Sequence, residues 1–160
     1  MENGFIDKHS KTKTLGNIGE IRIMLEFIKR GYIVSVPYGD CARYDFVVDN
    51  GSQLFKIQVK TVSKKSNTNT YTINNYSIGY GKTRSRKKYE KHEIDFVCVF
   101  LISANKCLSI PIQHFDNLTL NIRDDMDFPN NGMEKNVHYI SDYNFDVYFP
   151  SLIRNNNSVK

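Results

Sequence analysis

The segment Asp45–Thr61 constrains the fold more than any other part of this 160-residue chain. Two β-prone runs, Asp45-Phe46-Val47-Val48-Asp49 and Leu54–Thr61, flank Asn50-Gly51, a dipeptide that favours a hairpin turn. In the second run the side chains alternate. Phe55, Ile57, Val59 and Thr61 fall on one face, and Leu54, Lys56, Gln58 and Lys60 on the other. A polar face on a central strand is ordinary where it meets solvent. Here Asp45 lies one hairpin away from Gln58 and Lys60, so three polar groups of different chemistry converge on one place.

The elements around this hairpin follow from periodicity. Ile18–Arg30 reads as an amphipathic helix, with Ile18, Ile21, Leu25 and Ile28 spaced by three and four and Arg22, Glu26, Lys29 and Arg30 on the other side. Gly31 stands where a C-terminal cap belongs. Tyr32–Pro37 is extended and broken by Pro37-Tyr38-Gly39-Asp40. Further strands are predicted at Tyr71–Asn74, Ile94–Ile102, Cys107–Ile112 and Leu118–Ile122, with Ile94–Ile102 the most apolar and therefore central. Gly79–His92 is basic and is expected to close with a short helix from Ser85. Asp124–Asn136 reads as an acidic loop. A chain that is 40% apolar makes one domain at this length. We expect a basic arm at residues 1–14, a domain at 15–150 and a disordered tail at 151–160. Helix followed by strands and mixed elements predicts an α/β or α+β fold with a central mixed sheet.

Several function classes are excluded. No apolar run approaches the roughly 20 residues of a membrane span, and Met1-Glu2-Asn3-Gly4 does not open a signal peptide. Cys41, Cys98 and Cys107 form no CxxC pair, which suits free thiols in a reduced, intracellular compartment. The histidines His9, His92, His114 and His138 lack zinc spacing. Gly81-Lys82-Thr83 imitates a P-loop end, but Tyr76 occupies the place of its first glycine.

Glu20 is the helix's anomaly. On a wheel at about 100° per residue it lies between Met24 and Phe27, inside the apolar arc. A carboxylate among core residues costs several kcal/mol unless it is paired or binds a metal. The alternative is a place at the rim near the helix start, where the dipole favours an acid.

Gly16–Arg30, then Val36-Pro37-Tyr38-Gly39-Asp40, Tyr44-Asp45-Phe46-Val47-Val48 and Lys56-Ile57-Gln58-Val59-Lys60-Thr61, resemble the PD-(D/E)xK nuclease superfamily. Within it the chain looks most like the group I intron-encoded homing endonucleases of that fold. The resemblance implies a restriction-endonuclease-like core in αβββαβ order, with a central mixed sheet flanked by helices. It implies catalytic residues Glu20, Asp45, Gln58 and Lys60. Glu20, Asp45 and the Gln58 amide oxygen would hold Mg²⁺ or Mn²⁺, and Lys60 would contact the attacking water. Tyr44 stands where Pro often precedes the Asp, and Gln58 where most relatives carry Asp or Glu.

Charge adds a partner. Asp116–Pro150 carries seven acids against two bases, so with +5 overall the rest of the chain holds +10. Lys82, Arg84, Arg86, Lys87, Lys88 and Lys91 fall within ten residues, interleaved with or flanked by Tyr76, Tyr80 and Tyr89. Such a run is either a solvated face or a phosphate-contacting one. Beside a nuclease-like site it is read as binding double-stranded DNA. A site-specific endonuclease acting as a homo-oligomer, dimer or tetramer, is expected, since one subunit supplies one strand cut. The rivals are a Holliday junction resolvase, a restriction endonuclease, and a DNA-binding module with a decayed site.

Overall fold

In the computed structural model the hairpin at Asn50-Gly51 forms part of a five-stranded mixed sheet, and residues 8–39, 41–63, 70–79, 85–125 and 137–153 are described. Helix α1 (Lys8–Lys29) leads into β1 (Ile33–Ser35), β2 (Phe46–Asp49) and β3 (Leu54–Val62). β4 (Tyr71–Asn74), β5 (Tyr76–Ile78) and β6 (Arg86–Lys88) follow, then β7 (Phe96–Leu101), β8 (Lys106–Pro111) and β9 (Thr119–Arg123). β10 (His138–Tyr139) and a one-turn helix α2 (Phe145–Tyr148) complete the described order. The main sheet runs β1-β2-β3-β7-β8, with β3 and β7 parallel and its other pairs antiparallel. β10-β9-β4 make a second sheet, and β5-β6 a separate ribbon.

The turn between β2 and β3 is held by Asn50 Oδ1, which accepts from the Ser52 and Gln53 amides at 3.0 and 2.8 Å. Register then pairs Phe46 with Ile57 and Val48 with Phe55. These face α1 and build one core with Ile23, Phe27, Val59, Cys98, Phe100, Phe145 and Phe149. The other face of the sheet (Val97, Val99, Leu101, Leu108 and Ile110) packs on Tyr71, Ile73, Leu120 and Ile122 of the second sheet. β7 is therefore buried on both faces, as its apolar run predicts. On the polar side of β3 Gln58 is buried, while Lys56 and Lys60 are half-buried.

The fold is mixed α+β with a central mixed sheet, as expected, but details differ. α1 begins at Lys8, so residues 8–14 of the expected arm belong to the helix. Ile18, Ile21, Leu25 and Ile28, read as its core face, are exposed, and Ile23 and Phe27 are buried instead. Apolar residues of the Ile18–Ile28 stretch cover more than half of the helix circumference, so spacing alone does not choose the inner face. Phe27 decides it, making edge-to-face contacts with Tyr32, Phe46, Phe145 and Phe149 at centroid distances of 4.8–6.0 Å. The short helix expected from Ser85 is strand β6, because Arg86–Lys88 pair with Tyr76–Ile78. No α-helix stands between β3 and β7 among the described residues; that crossover is made by β4 and the ribbon. Most of the acidic loop, residues 126–136, lies outside the described residues, as does the tail from 154. Before it, the Leu152 amide donates to the Arg30 carbonyl at 2.7 Å, tying the chain's end to α1. The cysteines are free thiols, and no described helix is long and apolar enough to cross a membrane.

Candidate active site

The site is assembled where α1 crosses the start of β2 and the middle of β3. Gly19 makes that crossing close. It is buried, and a β-carbon there would overlap Thr61 Oγ1 on β3. Thr61 Oγ1 itself is buried with no hydrogen-bond partner. The absence of a side chain at Gly19 thus brings the next residue, Glu20, against the sheet. Glu20 borders two adjoining clefts, one of about 200 Å³ shared with Asp45 and Tyr44, the other of about 400 Å³ shared with Val59, Lys60 and Thr61.

Asp45 precedes β2 but continues its ladder, its amide donating to the Ile57 carbonyl at 2.8 Å. Its Oδ2 accepts from the Val59 amide at 2.6 Å and from Gln58 Nε2 at 2.7 Å. The carboxylate is therefore fixed in orientation through Oδ2, and no hydrogen bond from a described residue reaches Oδ1. Gln58 Nε2 also reaches the Val59 carbonyl at 3.2 Å. As placed, the amide nitrogen serves two acceptors, so turning the oxygen toward Asp45 would give up both hydrogen bonds and set it against two oxygens.

The electrostatics are uneven. Burial raises the Glu20 pKa, and the Asp45 charge raises it further. Burial also raises Asp45, against the lowering effects of the Val59 amide, Lys60 and Gln58. Lys60 is lowered by burial, opposed by Asp45 and reinforced by Arg43. In all three groups burial disfavours the charged form relative to water.

Glu20, Asp45, Gln58 and Lys60 are brought to one corner. Of the six expected DNA-contacting cations, Lys82 and Arg84 lie outside the described residues. Arg86, Lys87 and Lys88 form β6, and Lys91 is exposed in the turn beyond it. On the ribbon, Tyr76 pairs with Lys88 and Ile78 with Arg86, so these four share a face. Arg86 stacks on the Tyr76 ring at 4.9 Å. Ser77 and Lys87 share the opposite face, where Lys87 reaches Glu93 at 3.4 Å.

Sequence reasoning missed Arg43. Its guanidinium donates to Glu93 at 3.1 and 3.4 Å, to Ser77 Oγ at 2.6 Å, and to the Lys87 and Lys88 carbonyls. It was detectable only as a cation two residues before Asp45. Tyr89, read as part of a DNA-contacting run, is buried beside Lys60. Among the described residues no group of three or more His, Cys, Asp or Glu gathers as a metal site.

Residues 10–146 match the PD-(D/E)XK endonuclease family, and the chain belongs to it. Among solved structures it is similar to the bacterial homing endonuclease I-Ssp6803I. The TM-score is 0.67 at 23% identity, over 76% of this chain and 84% of that one. At that identity the likeness bears on the fold. No characterised protein matches the chain by sequence.

Proposed function

We propose that this chain is a site-specific, divalent-metal-dependent endonuclease that hydrolyses phosphodiesters in double-stranded DNA, of the homing type that its similar solved structure represents. The observation that carries the reading is the pairing of Glu20 and Asp45 in a part-buried cleft, each with a raised pKa, beside an amine held by burial below its ordinary pKa. Two carboxylates so placed suit a hard cation with oxygen ligands and retained waters. Mg²⁺ or Mn²⁺ would be held by the Glu20 and Asp45 carboxylates, and the Gln58 amide oxygen would join them only by giving up its hydrogen bonds to Asp45 and Val59. When bound, such an ion supplies charge neutralisation at the phosphate and acidifies water.

The protein's own groups do the rest. The Val59 amide keeps Asp45 from rotating. Lys60, across the same strand face, presents an ammonium or a neutral amine to the attacking water and donates to developing negative charge. The ribbon's Arg86 and Lys88 lie on one face for phosphate contact, and a two-stranded ribbon has the width for a major groove. Identical subunits, each with one such site, would pair to cut both strands, and the outward ridge of Ile18, Ile21, Leu25 and Ile28 on α1 supplies apolar surface for that pairing.

The test is nicking of supercoiled plasmid. Wild type should cut only with Mg²⁺ or Mn²⁺, and Asp45→Ala and Lys60→Ala should each lose roughly 10²–10³-fold or more in rate. Undiminished cutting by either variant removes the site assignment. Preferential cutting of four-way junctions over duplex would replace the homing reading with a resolvase.

A further inference from the structure

Lys60 is fixed by the ribbon rather than by its own strand. Its Nζ donates to the Tyr76 carbonyl at 3.2 Å and to the Tyr89 hydroxyl at 3.5 Å, and stands 5.0 Å from the centroid of the Tyr89 ring. Tyr76 opens β5 and Tyr89 follows β6 directly, so these contacts come from the two ends of one hairpin. A lysine stem is long and freely rotating, so an ammonium held at one point needs such contacts.

The hairpin is in turn locked to the catalytic corner. The Arg43 guanidinium lies 4.4 Å from the centroid of the Tyr89 ring, which puts Tyr89 between two cations. Arg43 also bonds Ser77 on β5 and two carbonyls of β6, while Glu93 holds it in two hydrogen bonds. Tyr89 is 5% exposed, too buried to meet DNA as the sequence pattern suggested. The opposite face of the same ribbon carries exposed Arg86 and half-buried Lys88.

We propose that Tyr89 is a positioning residue that holds Lys60, so that the seating of hairpin β5–β6, locked by Arg43, sets where the Lys60 ammonium sits. A polyanion engaging Arg86 and Lys88 then acts on an element that also carries the lysine's anchors, which links DNA contact to the readiness of the site. The catalytic consequence rests on the nuclease reading; the placement of Lys60 does not.

The experiment uses the full-length protein and two variants. The Lys60 ε-methylene proton resonance, assigned by its loss in Lys60→Arg, should lie upfield of free lysine because of the Tyr89 ring current. The shift should persist in Tyr89→Phe and vanish in Tyr89→Leu. In cleavage assays at a temperature where circular dichroism shows each variant folded, Tyr89→Leu should lose roughly 10–100-fold in kcat. Its KM for DNA should stay within about twofold, and Tyr89→Phe should recover most of kcat. A free-lysine shift in wild type overturns the proposal even if Tyr89→Leu does not fold. So does wild-type kcat in Tyr89→Leu, or a loss that falls wholly on KM. If the ring-current shift is present but wild type cuts no DNA, the nuclease reading falls and the placement stands.

Discussion

At the α1 corner, Glu20 and Asp45 share a part-dry cleft, burial raising both pKa values and Asp45 raising Glu20 further. At the ribbon corner, Arg43 meets Glu93 in two hydrogen bonds while its remaining donors bond Ser77 and the β6 carbonyls. There burial is the largest single influence on Glu93 and raises its pKa, but the Glu90 amide, Arg43 and Lys87 together outweigh it, so the pKa falls. One corner is electrostatically complete within the chain and the other is not. Charge deleted from the complete corner should therefore cost stability, and charge deleted from the incomplete one should add it.

The largest expected effect on stability is at the complete corner. Arg43→Leu leaves Glu93, with a side chain 12% exposed, without its main partner and unlocks the ribbon. A loss of about 3 kcal/mol in urea denaturation is expected. A loss under about 1 kcal/mol would show that the ribbon does not depend on this ion pair.

Glu20→Gln should act the other way and less strongly. A carboxyl whose folded pKa is raised binds protons in the folded state over a window that opens near its ordinary value, 4.5 for Glu20. Across that window the folded chain holds more protons than the unfolded one, so stability falls as pH rises. The metal-free Glu20→Gln protein should thus melt a few degrees above wild type at neutral pH, with the difference closing as pH falls below the window. A lower melting temperature for the variant at neutral pH would mean that Glu20 serves the helix and not the cleft.

The smallest expected effect separates the ribbon's two faces. Arg86→Ala with Lys88→Ala should flatten the slope of log K against log[salt] for DNA binding by about two. Lys87→Ala, whose charge already meets Glu93 at 3.4 Å, should change the slope by well under one. Equal slopes per charge would dissolve the distinction between the faces.

The sequence makes the β2–β3 hairpin legible because two local signals agree there, the Asn50-Gly51 turn and period-two alternation, and the structure keeps both. The central place of β7 follows as directly from its unbroken apolar run. The inner face of α1 is not legible, because the apolar arc is wider than the buried face and only tertiary contacts at Phe27 and the close approach at Gly19 select a side. Glu20 was nevertheless placed correctly in the arc with Met24 and Phe27, which did not depend on the isoleucine stripe. β6 was hidden because Arg86-Lys87-Lys88 has no apolar alternation; its strand character comes from pairing with β5. Arg43 and Tyr89 carry no motif at all, and their part emerges only when three distant segments meet.

The proposed pairing of Glu20 and Asp45 around a divalent cation is tested most directly by thermal melting with and without Mg²⁺ or Mn²⁺. Wild type, with both carboxylates, should gain melting temperature as the metal concentration rises, following mass action. Asp45→Ala, which removes the carboxylate that the Val59 amide holds in place, should gain little or nothing. No metal-dependent shift in wild type, or an equal shift in both proteins, would contradict a metal site built on Glu20 and Asp45.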